Sequence, residues 1–135
     1  MVQTVKKLSR QRSDKGSRIY RPETNGFDFR KAKLCKYINS KKNERVLSNQ
    51  LLRSGTSIGA NVFEAEKGQT KADFYAKMTI ALKEANETYY WLKLMFETDY
   101  LSREEFESIE KDIKEICSIL VSITKTTKES LNDKK

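Results

Sequence analysis

Apolar residues return every three or four positions along most of this chain, a rhythm that belongs to helices rather than strands. It begins at Phe27, where Phe27, Lys31, Leu34 and Ile38 share a face with Cys35 beside it, and polar residues 39–43 close this first expected helix. A second runs from about residue 44 to 67, where Leu47, Leu51, Ser54, Ile58, Val62 and Ala65 follow one another at spacings of 4, 3, 4, 4 and 3. Gly55 and Gly59 interrupt it. Each costs about 1 kcal/mol against alanine inside a helix, so the pair points to another helix lying close to the backbone. Gly68 then occupies the place of a left-handed residue just past a helix end.

Thr70, with Asp73 three residues on, reads as a capping box with the shorter acid, opening a third helix. Its main stripe is Phe74, Met78, Ala81, Leu82, Ala85, Tyr89, Leu92 and Phe96; Lys77, Ile80, Glu84, Glu87, Trp91 and Leu94 run beside it. Two stripes ask for cover on two sides, one from the bundle and one from a neighbouring subunit. The fourth start is the clearest. Ser102-Arg103-Glu104-Glu105 is a capping box, and Leu101 with Phe106 forms its hydrophobic staple. Phe106, Ile109, Ile113, Ile116, Leu120 and Ile123 then make a heptad seam suited to shallow helix crossings. Short connections make neighbours antiparallel. The fold class is therefore all-α, an up-down-up-down four-helix bundle over residues 27–131, preceded by a basic arm at 1–26 and followed by a polar tail at 132–135.

Composition agrees with a small core spent on stripes. Of the 135 residues 37% are hydrophobic and 34% charged, enough for one domain. No apolar run approaches the roughly 18–20 residues that span a bilayer, and the start has no apolar segment after its basic residues, so a cytoplasmic protein without membrane contact is expected. Charge is divided along the chain. Residues 1–53 carry fifteen Lys/Arg against Asp14, Glu23, Asp28 and Glu44, a balance of +11, whereas residues 54–135 carry twelve against fifteen acids, a balance of −3. A basic front on a mildly acidic bundle suits a polyanion such as RNA or DNA; the bland alternative is a tail that only keeps the protein soluble. Lys6, Lys7, Arg10, Arg12, Lys15, Arg18 and Arg21 in the arm, followed by Arg30, Lys31, Lys33, Lys36, Lys41, Lys42 and Arg45, are the candidate phosphate contacts, with Tyr20, Tyr37 and Phe27 among them as candidates to stack on bases, although Phe27 suits core or tail packing better.

Catalytic chemistry finds little to work with. The chain has no histidine, which removes the commonest general base and neutral metal ligand. Glu64, Glu66, Glu84 and Glu87 fall short of a di-iron site, which needs a Glu-x-x-His on each of two helices. Ser54, Thr56 and Ser57 have no base of the usual kind, although a Ser–Lys pairing stays open; as small residues they suit close packing. Cys35 and Cys117 lie far apart at apolar positions and read as buried reduced thiols. No cofactor or metal is expected and no enzyme activity. Arg53, Ser57, Asn61 and Glu64 share a face of the second helix, with Lys83, Glu84 and Glu87 on the third, so a structural or interface polar network that fixes register is expected there.

The run from Leu51 to Ala65, LLRSGTSIGANVFEA, then Asp73-Phe74, then IALKEANET at 80–88 with Trp91-Leu92, resembles the four-helix-bundle proteins encoded within intervening sequences of bacterial 23S ribosomal RNA genes. The likeness covers about residues 27–125; Phe63 departs from it, standing where many members carry a small residue. The resemblance implies a four-helix protomer assembling into a ring-shaped homo-oligomer, commonly a pentamer, with a basic surface toward nucleic acid and no catalysis. A related branch, the accessory variability determinants of diversity-generating retroelements, implies the alternative of a protein-interaction scaffold, for example for a reverse transcriptase, with incidental nucleic-acid affinity.

Overall fold

The computed structural model describes residues 45–133. Among them are three helices and no strand: α1 (Val46–Lys67), α2 (Lys71–Glu97) and α3 (Arg103–Asn132). The helix expected over residues 27–38 and the arm at 1–26 lie outside the described residues. Helix α2 packs against both others, while no Cα of α1 comes within 8 Å of a Cα of α3. Both pairings are antiparallel, as side chains show: Arg53 reaches Glu87 while Glu64 reaches Lys77, and Phe96 meets Phe106 while Lys71 meets Ser130.

The stripes read from the sequence meet in one core. Leu51, Ile58, Val62 and Ala65 of α1, Phe74, Met78, Ala81, Ala85 and Leu92 of α2, and Phe106, Ile113, Ile116, Leu120 and Ile123 of α3 are all buried. Leu82, Tyr89 and Phe96 pack half-buried at the margin of the core. The pattern also missed members. Met95 and Thr88 are fully buried, and Thr127 carries the α3 seam one turn beyond Ile123. Gly55 lies buried inside an unbroken α1.

Helix ends follow local chemistry. Ser102 caps α3 with both arms of the box in place, Glu105 N–H donating to Ser102 Oγ and Ser102 N–H to Glu105 Oε1, each at 3.1 Å. Leu101 and Phe106 are buried around it. At α2 only one arm is made, Asp73 N–H donating to Thr70 Oγ1 at 3.0 Å; aspartate is a methylene shorter than the glutamate that completes the α3 box. Gly68 corrects the expectation of a left-handed cap. Its φ of −62° and ψ of 143° are extended, and its lack of a side chain serves space instead. A Cβ there would lie 3.1 Å from Asp73 Cβ and 3.2 Å from the Ala65 carbonyl. The left-handed residue is Asp99, φ 67°, at the α2–α3 corner. Tyr100 N–H donates to Met95 O at 2.8 Å and Asp99 N–H to Phe96 O at 3.1 Å, the pair of bonds that defines a Schellman ending.

Candidate functional site

The basic residues named as phosphate contacts divide sharply. Arg45 is described: it is exposed and takes the N-cap position of α1 without a side-chain cap bond. Lys6, Lys7, Arg10, Arg12, Lys15, Arg18, Arg21, Arg30, Lys31, Lys33, Lys36, Lys41 and Lys42 lie outside the described residues, as do Tyr20, Tyr37 and Cys35.

The expected polar network gathers three of its members. Arg53 projects from α1 across to α2, where Nη2 pairs with Glu87 Oε1 and Nη1 lies 3.5 Å from Glu84 Oε2. Its Nε donates to Gln50 Oε1 at 3.1 Å, and Trp91 Nε1 donates to the same Glu87 oxygen at 3.1 Å. The cluster is not buried, since the Arg53 side chain is 48% exposed, so its Coulombic attraction is strongly screened. Ser57 and Asn61 turn away from it, donating to the carbonyls of Arg53 and Ser57 in their own helix, each at 2.8 Å. Helical serine and asparagine are readily satisfied in this way, one turn back. Glu64 forms a separate bridge with Lys77 at 2.6 Å. Lys83 is exposed and, among the described residues, makes no ion pair.

A deeper polar contact was not anticipated. Ser54 and Thr88, both fully buried, face each other across the α1–α2 seam with their oxygens 2.9 Å apart. Each hydroxyl has one proton. Either Thr88 donates to Ser54 and Ser54 to Leu51 O at 3.3 Å, or Ser54 donates to Thr88 and Thr88 to Glu84 O at 2.8 Å. Both arrangements leave no hydroxyl hydrogen without an acceptor. Two oxygens borne directly on Cβ meet only where helix backbones run close, and Ser54 lies beside buried Gly55. The sequence signal was Ser54 itself, a hydroxyl on an otherwise apolar stripe that needs a partner opposite.

The hydroxyls of α1 are taken up by its own backbone. Thr56 Oγ1 donates to Leu52 O at 2.8 Å and Ser57 Oγ to Arg53 O, and no described hydrogen bond joins Ser54, Thr56 or Ser57 to a lysine. Cys117 is half-buried, and burial raises its thiol pKa, which disfavours the reactive thiolate. Among the described residues no group of three or more His, Cys, Asp or Glu is placed to hold a metal ion, and no helix is long and apolar enough to cross a membrane.

A family model described as 23S rRNA-intervening sequence protein matches residues 26–122. The chain belongs to that family. The chain is also 52% identical to a protein with unknown function from the S23 ribosomal protein family of Bacteroides thetaiotaomicron VPI-5482, whose crystal structure matches with a TM-score of 0.74 over 76% of this chain and 94% of that one. Among curated proteins nothing matches. Of the residues that carry the resemblance, Arg53, Glu84 and Glu87 pair across the α1–α2 seam, Ser57 and Asn61 bond within α1, and Ile58, Ala81 and Ala85 fill the core.

Proposed function

We propose that this intervening-sequence family protein is a non-catalytic, oligomeric four-helix bundle that binds RNA or DNA through its basic N-terminal half. The observation that carries this is the division of charge. Residues 45–133, which form α1 to α3, carry twelve Lys/Arg against fifteen Asp/Glu, a balance of −3, while residues 1–44 carry thirteen against four, a balance of +9. A polyanion would be drawn to the N-terminal residues and not to the acidic helices. Lysine and arginine there act as point charges, giving affinity without sequence reading. On this reading residues 27–38 supply the fourth helix, and a ring of protomers, five by family resemblance, multiplies weak contacts into avidity.

Titrating the full chain with labelled RNA and DNA across a salt series tests the binding. Affinity falls steeply with salt, and the slope shrinks as Lys6, Lys7, Arg10 and Arg12 are replaced by glutamine; binding insensitive to salt, or none, refutes the reading. Light scattering tests the assembly, for which a five-protomer mass is expected and a monomer refutes the ring.

A second reading, a scaffold for a protein such as a reverse transcriptase, draws on Ile80 and Val121, which remain 40% and 51% exposed on α2 and α3. It predicts a protein partner whose capture survives nuclease treatment.

A further inference from the structure

Lys83 left the polar seam without a role, and its surroundings supply one. Lys83, Asn86, Tyr90 and Lys93 follow one another along α2 at steps of three, four and three, a single helix face about 15 Å long. All four are exposed, Tyr90 by 57%. The Tyr90 ring stands edge-on to Trp91 with centroids 5.0 Å apart, and Trp91 is itself tied to Glu87. The face thus carries an exposed aromatic ring in edge contact with its neighbour.

Among the described residues, Lys83 and Lys93 belong to the cations that no carboxylate neutralises. Arg53, Lys77, Arg103 and Lys114 each pair with a carboxylate, whereas Lys83 and Lys93, among the described residues, pair with none. The acids nearest in sequence are already engaged or out of reach. Glu84 and Glu87 hold Arg53, Glu110 on α3 holds Lys114 and Tyr89, and Glu97, a turn past Lys93, makes no bridge to it. An open aromatic ring between two unneutralised ammonium groups complements a base flanked by phosphates.

We infer that this face of α2 is a contact strip for single-stranded nucleic acid, with Tyr90 stacking on a base, Lys83 and Lys93 on phosphates, and Asn86 beside the ring. A single strand is specified because a duplex keeps its base faces stacked inside, while an unpaired base offers one to an aromatic side chain. The strip rests on the nucleic-acid reading above, but it adds a site on the acidic bundle, where bulk charge would not place one.

The test uses the full chain and a fluorescein-labelled oligothymidylate, with two readouts. Trp91 is the only tryptophan of the chain, so its emission reports on Tyr90 from within contact distance, and anisotropy gives the Kd. Binding quenches Trp91 emission. Tyr90→Ala weakens binding about 5- to 100-fold while Tyr90→Phe keeps it, and Lys83→Gln with Lys93→Gln lowers the salt slope by about 1.4. Because all three side chains are exposed, thermal unfolding of the variants stays at the wild-type value. Wild-type affinity in Tyr90→Ala with unchanged Trp91 emission overturns the strip and leaves the N-terminal reading standing. No binding by the unaltered chain overturns both. Trp91 emission that shifts with protein concentration alone assigns the face to a second copy and overturns the strip.

Discussion

Helix α2 has two neighbours and treats them differently. Toward α3 it stacks the Phe96 ring on Phe106 at 4.5 Å and 8°, beside the buried Ile113 and Ile116 of α3. Toward α1 it presents Thr88 to Ser54, Glu84 and Glu87 to Arg53, and Lys77 to Glu64. The first seam gains from removing apolar area from water, which is non-directional. The second adds to its apolar burial a set of contacts that depend on geometry. A slip of one turn, about 5.4 Å, would part Ser54 from Thr88 and Arg53 from its glutamates. Apolar burial supplies most of the cohesion at both seams, since Leu51, Ile58, Val62 and Ala65 of α1 are buried too, and the polar pairs choose the register in which α1 is held.

Substitutions can separate the two roles. Ile113→Ala, at a site with no exposure, should cost about 2–5 kcal/mol in chemical denaturation, more than any single change in the polar seam; a smaller loss would put cohesion elsewhere. Next come Ser54→Ala and Thr88→Val, each losing the hydrogen bond between the two hydroxyls at a cost of about 0.5–1.5 kcal/mol, since the hydroxyl left behind keeps a backbone acceptor. Combined, they should cost less than their sum, and strict additivity in the double-mutant cycle would break the pairing. Arg53→Met keeps the side-chain stem and should cost no more than about 1 kcal/mol, shrinking as salt is added, since the cluster is half-exposed; a loss that salt leaves unchanged would contradict the screening. The smallest effect has the opposite sign. Asp99→Gly relieves a left-handed residue at the corner and should raise stability by about 0.5 kcal/mol, and a fall in the denaturation midpoint would show that the Asp99 side chain does more than occupy the turn.

Much of this was readable from residue order, and the failures share a cause. The Ser102 box and the Phe106–Ile123 seam are local patterns, and α3 follows both. Gly68 misled because glycine answers two needs, a left-handed φ and a close approach, and only the position of Asp73 on the next helix reveals which one applies. Asp99 was unreadable for the converse reason, being a non-glycine residue in the left-handed position. Thr88 was passed over because hydroxyls are scored as surface groups, although Ser54 opposite makes its burial cheap. In the candidate site, Arg53, Glu84 and Glu87 follow from helix faces that must meet, while Ser57 and Asn61 turn back to their own carbonyls, a choice that spacing does not express. Family resemblance identified the fold through these positions, without saying which of them touch.

The corners bear on how quickly the chain reaches this arrangement. Residues 68–70 and 98–102 are all that separate the three helices, and the backbones of α1 and α3 stay apart. Each pairing joins sequence neighbours, so little loop entropy must be lost before contacts form. Chains wired in this way fold on microsecond-to-millisecond timescales, and each hairpin of helices can zip outward from its corner.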